Sequence, residues 1–307
     1  MSFVFGPVVS RRFGLSLGID LSPDRKRCDY DCLYCELNKA KPVAVFDNPP
    51  DWRPIADEVK AALKNCAPDK LTITANGEPT LYPYLEALID ELNAIKGGAK
   101  LMILSNGGAI GSPNVANALA KLDIVKLSLD AAEPKAFKRV DRPEKSRADI
   151  AATIDAMASF RARYASELVV EILLVAGAND TQANFDALEL ALRKIKPDQI
   201  DIGTIERPSA YKVQAVSEKT MQSLLERLIG LNARIIPSAR AAAKQSPNQD
   251  ALLHTLSRRP MSCREAETTL DDQALAALKS LLENGEIVIK TQGGKEFYAA
   301  RQMSFEG

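Results

Sequence analysis

The feature that most constrains this chain is an alternation. Short apolar runs at residues 13–21, 71–75, 101–104, 124–129, 168–175 and 200–205 each precede a stretch with helical spacing, near 55–63, 85–95, 114–122, 150–164, 184–195 and 221–231. In the first run Leu15, Leu17, Ile19 and Leu21 occupy alternate positions, the period of a strand. Strands that are apolar throughout and separated by helices pair in parallel and are covered on their faces by the crossovers. The pattern predicts an α/β fold with six strand-helix units, fewer than the eight of a closed barrel.

Directly after the first run stands Cys28-Asp29-Tyr30-Asp31-Cys32-Leu33-Tyr34-Cys35, three cysteines separated by three and then two residues. Thiolates grouped on so short a loop select a soft metal centre: zinc, copper(I) or an iron-sulfur cluster. A structural zinc needs a closed shell, usually from a second ligand pair. None is offered, because Cys66 and Cys263 stand alone and the single histidine, His254, is far downstream. Those three read as core or ordinary helix side chains. A three-cysteine loop leaves one coordination position open, and three clustered thiols in an odd total of five fit a reducing compartment.

In α/β folds ligands gather at the carboxyl ends of the strands. The residues there are polar: Asn76-Gly77-Glu78-Pro79-Thr80, Ser105-Asn106-Gly107, Ser128 with Asp130, Gly177-Ala178-Asn179, and Glu206-Arg207-Pro208. Taken alone, residues 76–80 read as a tight turn opening a helix, with Glu78 as its cap. Glu171 interrupts an apolar strand, which is costly unless it is paired or faces a cavity. Arg11, Arg12, Arg139 and Arg142 are solvated charges or carboxylate clamps.

The cysteine spacing, with Tyr34 just before the third cysteine and Gly77-Glu78-Pro79 after the second strand, resembles the radical SAM superfamily. The resemblance implies a partial (β/α)6 TIM-like barrel in which Cys28, Cys32 and Cys35 hold a [4Fe-4S] cluster. It implies that S-adenosylmethionine chelates the fourth iron, with Gly77, Glu78 and Pro79 receiving its ammonium group. Ser105, Asn106, Ser128 and Asp130 then line its methionyl and ribose groups. Tyr34, Arg142, Glu171 and Asn179 complete the expected cofactor-binding set, and no side chain is assigned a catalytic step. A reducing partner such as flavodoxin or ferredoxin is implied as well.

Ser128-Leu129-Asp130-Ala131, Phe137-Lys138-Arg139-Val140-Asp141-Arg142-Pro143 and Val175-Ala176-Gly177-Ala178-Asn179 resemble the branch containing the tRNA wyosine-forming enzyme and its bacterial relatives. That enzyme uses a second cluster on upstream cysteines, and no cysteine precedes Cys28 here. The substrate classes in view are an RNA base, a peptide or protein, and a small molecule. A non-catalytic iron-sulfur redox regulator is the reading from another class.

The barrel is expected over residues 1–236, followed by a linker at 237–248 that is rich in alanine, serine and lysine. Residues 249–307 read as three short helices near 252–256, 263–270 and 273–283, then a hairpin with a glycine turn. This predicts a small winged-helix-like α+β domain. From Pro247 to Gly307 there are seven basic side chains against nine acidic, a net charge of −2. The third helix carries only Lys279 as a cation, after Asp271 and Asp272, so DNA binding is not expected of it.

The whole 307-residue chain carries no net charge and exerts no overall pull on nucleic acid. With 46% hydrophobic and 26% charged residues it is an ordinary folding composition. No run reaches the length of a membrane span and residues 1–6 lack a signal pattern, so a cytoplasmic location is expected.

Overall fold

A computed structural model describes residues 2–10, 14–236 and 246–301. Arg11, Arg12 and most of the expected linker lie outside the described residues. The larger sheet has eight strands in sequential order: β1 (Val4–Ser10), β2 (Gly14–Asp20), β3 (Lys70–Thr74), β4 (Lys100–Ser105), β5 (Ile124–Ser128), β6 (Glu167–Leu174), β7 (Gln199–Thr204) and β8 (Ala233–Ile235). β1 is antiparallel to β2, and each later neighbour pair is parallel.

All six predicted strands are present, and two more extend the edges. β1 carries Gly6-Pro7 at its centre, which breaks the apolar pattern but is tolerated on an edge strand, and its register shifts between Phe5 and Val8. β8 has three residues, too few to register as a period.

The helices are α1 (Trp52–Leu63), α2 (Leu85–Ile95), α3 (Pro113–Leu119), α4 (Pro134–Val140), α5 (Ile150–Arg163), α6 (Gln182–Ile195) and α7 (Glu218–Arg227). α4 is a further helix between β5 and α5, outside the six helical stretches that the sequence pattern predicts. Pro134 presets its first turn, and Glu133 caps it by accepting from the Ala136 amide at 2.7 Å. α2 shows how the helices cover the sheet: Leu85, Leu88, Ile89 and Leu92 form one buried stripe.

Alternation along the strands separates the two sheet faces. Leu101, Ile103, Val125, Leu127, Val170 and Ile172 join the large core with the helices. The intervening Met102, Ile124 and Val169 form a separate small cluster, with Leu104 packed against it. Lys126, Ser128 and Glu171, of this same parity, line a cavity. Parity therefore decides which strand residues can meet a ligand.

The C-terminal unit comprises α8 (Gln249–Leu256), β9 (Met261–Ser262), α9 (Cys263–Thr269), α10 (Asp272–Glu283), β10 (Ile287–Gln292) and β11 (Lys295–Ala300). Its antiparallel sheet has the order β10-β11-β9, and it has its own core of Leu252, Leu256, Leu270, Leu278, Leu281 and Ile287. The unit touches both ends of the larger sheet. His254 Nε2 lies 3.2 Å from the Ser2 carbonyl beside β1, while Gln292 donates to the Val213 carbonyl, beyond β7, at 3.1 Å. Among the described residues no helix is long and apolar enough to cross a membrane.

Candidate active site

The cysteine loop leaves β2 and is stitched to three other segments through its backbone. The Arg27 amide donates to the Asn76 carbonyl and the Glu78 amide to the Arg27 carbonyl, both at 2.8 Å. The Leu33 amide reaches the Val140 carbonyl at the end of α4 at 2.8 Å, and the Ala210 amide reaches the Cys35 carbonyl at 2.9 Å. Arg27 ties the loop further, pairing with Asp24 and Asp47 beneath the Phe46 ring. The loop thus has a fixed path without regular secondary structure.

Gly77 is where this stitching demands a particular residue. Its φ is +132°, and a Cβ there would stand 1.8 Å from the Arg27 carbonyl oxygen. Only glycine lets the two backbones come this close. Glu78 follows, almost fully buried, capping the short turn Pro79–Leu81. Its Oε1 accepts from the Thr80 amide (3.0 Å), Thr80 Oγ1 (2.6 Å) and Ser105 Oγ (2.7 Å), and its Oε2 accepts from the Asn106 amide at 2.7 Å. Burial and the nearby charge of Asp29 push the Glu78 carboxyl up to about 7, against the pull of these donors.

All three cysteines open onto one cavity of about 450 Å³, together with Tyr34, Gly77 and Glu78. Cys28 Sγ accepts from the Tyr30 amide at 3.4 Å, with the Asn106 side-chain amide 3.8 Å away. Lys26 Nζ donates to Cys35 Sγ at 3.3 Å. Burial works against the Lys26 ammonium, but the charges of the three cysteines outweigh it and hold its pKa above the ordinary value. Burial first, then neighbouring acids, raise the Cys28 and Cys32 thiols. Among the described residues no three His, Cys, Asp or Glu side chains close on a single ion. A cuboid cluster binds each thiolate to a different iron, so cysteines on the wall of a shared opening, with N–H donors aimed at sulfur, fit that group.

Residues 25–188 match the family model of the Radical SAM superfamily. The chain belongs to that superfamily. As a radical SAM enzyme its cofactors are a [4Fe-4S] cluster and S-adenosylmethionine. It is 43% identical over 304 residues to a UPF0026 protein of Helicobacter pylori strain J99, covering 98% of each chain. Among solved structures, a radical SAM methyltransferase from Sphaerobacter thermophilus is similar with a TM-score of 0.54 at 16% identity, covering 72% of this chain and 66% of that one. Archaeal TYW1 is similar with a TM-score of 0.48 at 15% identity, over 71% of this chain and 72% of that one. The likeness to the methyltransferase concerns the fold alone.

Of the residues that the sequence nominated for this radical SAM site, Ser105, Asn106, Ser128 and Glu171 also line the cavity. Glu171 faces inward as its cost in an apolar strand required, and it pairs with Lys126 of β5. The other nominees stand behind the wall. Asp130 accepts from the Tyr34 hydroxyl and, at 2.6 Å, from the Leu173 amide, and burial raises its carboxyl to about 6. It borders a smaller neighbouring pocket instead. Asn179 is fully buried and spends its amide on Val175, Asp130 and Leu173 backbone. Arg142 braces the cysteine loop: its Nε donates to the Asp31 carbonyl at 2.7 Å and its guanidinium lies 3.9 Å from the Tyr211 ring centre. Pro79 opens the turn after Glu78. These four shape the site from outside the cavity.

Sequence reasoning missed Asp20, Asp29, Lys126, Arg258 and Arg259, and it noted Arg207 only as a strand end. Asp29 is fully buried beside Cys28 and accepts from the Asn106 side chain at 2.6 Å, while its second oxygen lacks a hydrogen-bond donor. Lys126 carried the same signal as Glu171, a charge inside an apolar strand. Cys66 and His254 are, as expected, ordinary side chains, bonded to the Ala62 and Ser2 carbonyls.

Proposed function

We propose that this enzyme holds its cluster through Cys28, Cys32 and Cys35 and cleaves S-adenosylmethionine reductively to attack a substrate enclosed in the same cavity. The observation that carries the reading is the opening of all three thiols, Glu78 and Asn106 onto one space of about 450 Å³. When bound, the cofactors supply a one-electron cleavage that gives methionine and a 5′-deoxyadenosyl radical able to abstract hydrogen.

The chain's own work is positioning. Glu78 is the acceptor for the methionyl ammonium: with its carboxyl near 7, an arriving cation draws it to the ionised form. Asn106 and Ser128 offer polar contacts along the cavity, and Met102 and Leu104 give it an apolar wall. A cytoplasmic one-electron donor of the flavodoxin or ferredoxin kind suits this chemistry. The size of the space favours a small molecule or a single extruded group over a broad macromolecular surface.

The C-terminal unit, read as winged-helix-like, serves as part of the cavity wall. Its α10 presents Lys279 already facing Glu283 at 3.8 Å, a poor footing for phosphate neutralisation. Steeply salt-dependent duplex or RNA binding by the full chain would contradict this.

After anaerobic reconstitution, dithionite and S-adenosylmethionine should yield 5′-deoxyadenosine in amounts that follow the iron content. Absence of that product in a fully loaded protein defeats the proposal. Cys28→Ala should abolish cluster assembly, read as iron per chain; full iron retention would remove Cys28 from the ligand set.

A further inference from the structure

Among the described residues, four cationic side chains reach the cavity: Lys126, Arg207, Arg258 and Arg259. They are not equivalent. Lys126 is paired with Glu171. Arg258 is consumed by the fold, because Nε binds Asp20 at 2.7 Å, one terminal nitrogen binds the His254 carbonyl and Ser257, and the other binds the Ser2 carbonyl. Arg207 and Arg259 differ from it. Arg207 commits a single nitrogen to Glu36, at 3.0 Å, and Arg259 commits a single nitrogen to Glu265.

A guanidinium carries five N–H donors, so each of these two keeps most of its donors in hand. Both side chains are largely enclosed, at 16% and 19% exposure. Both line the cavity, so the donors not committed to Glu36 or Glu265 are within reach of a ligand held there. Burial and the like charge of Arg207 together lower the pKa of Arg259, which places the two guanidiniums within each other's field. Two planar, weakly hydrated cations lining one cavity with spare N–H forks match an oxyanion.

We infer that Arg207 and Arg259 form a subsite for the negatively charged group of the substrate, a carboxylate or a phosphate. The inference rests on the radical reading above and names the class of molecule that the site accepts. The subsite lies toward Cys35: Glu36 is the next residue, and the Ala210 amide holds the Cys35 carbonyl at 2.9 Å. Glu78 and Asn106 adjoin Cys28 instead. The subsite therefore serves the substrate and not the cofactor's own carboxylate. One of its arginines comes from the segment after β7 and the other from the C-terminal unit, so the site is incomplete without that unit.

The test is calorimetric titration of the anaerobically reconstituted full chain with inorganic phosphate and, separately, acetate, at low ionic strength, both without and with saturating S-adenosylmethionine. Saturable binding is expected. Tighter phosphate points to a phosphoester substrate, and tighter acetate to a carboxylate. Arg207→Gln and Arg259→Gln should each weaken the better probe about tenfold or more, with partial recovery in the lysine variants. Thermal unfolding checks each fold; should Arg259→Gln not fold, Arg207→Gln and Arg259→Lys decide. No saturable binding of either probe, equal affinity in the glutamine variants, or displacement of the probe by S-adenosylmethionine overturns the inference. Because 5′-deoxyadenosine formation is measured apart from anion binding, either result can fail without the other.

Discussion

The wall of the cavity at the Gly77 crossing, beside Cys28, and the wall supplied by Arg207 and the C-terminal unit are built by different means. Beside Cys28 the contacts are backbone to backbone, Arg27 to Asn76 and Glu78 to Arg27, with Gly77 shorn of any side chain at the crossing. On the other wall the joints are long charged side chains from distant parts of the chain: Arg207 meets Glu36 across 171 positions, and Arg258 meets Asp20 across 238. A backbone crossing fixes the path of the loop and admits no variation in the residue. Charged pairs on flexible stems can be re-aimed by single substitutions. The first construction suits a cofactor whose shape is constant, and the second suits a substrate whose identity distinguishes one enzyme from another.

The largest effect is expected on the backbone side. Gly77→Ala forces a Cβ into the Arg27 carbonyl at a φ that L-residues avoid, and strain plus overpacking should cost about 4 kcal/mol. Denaturant unfolding should show that loss, and iron uptake on reconstitution should fall with it because the crossing carries the cysteine loop. A Gly77→Ala protein of wild-type stability and iron content would erase the contrast. Arg258→Gln should cost somewhat less, about 3 kcal/mol, by leaving the buried Asp20 carboxylate without its cation. Asp20 Oδ1 still holds the Ser22 and Asn76 amides, at 3.0 and 2.7 Å, so iron uptake should persist. If both variants lose iron equally, the two walls are one structure.

The same contrast governs what could be read from the sequence. The strand order, the covering helices and the cavity-facing parity of Glu171 are local periodicities, and the cysteine loop with Gly77-Glu78 is a contiguous signature. Both were legible. β1 was hidden by Gly6-Pro7 and β8 by its brevity. That Asp130 and Asn179 stand behind the cavity wall could not be read, because a strand end places a residue near a ligand without saying whether its side chain turns to the cavity or back to a neighbour's amide. Arg258 and Arg259 were beyond reach for a different reason. Their sequence neighbourhood is a helix end in a separate core, and only docking of that unit on the barrel brings them to the cavity.

The smallest effect expected concerns Glu78, where both constructions meet a titrating group. Its carboxyl stands near 7 in the fold, against 4.5 as the ordinary value, because burial and the Asp29 charge disfavour ionisation. The native chain therefore keeps a proton that the unfolded chain releases from pH 4.5 upward, and its stability declines as pH rises through that window to about 7. Glu78→Gln cannot titrate. Its amide oxygen can still serve Thr80 and Ser105, but its NH2 faces the Asn106 amide, a mismatch worth about 1 kcal/mol. The advantage of wild type over this variant should accordingly be greatest below pH 4.5 and shrink toward pH 8, measured by urea unfolding of the metal-free protein. Parallel stability curves would mean that four donors hold the carboxylate ionised throughout, making the Cys28 side a preformed anion instead of one that an incoming ammonium creates.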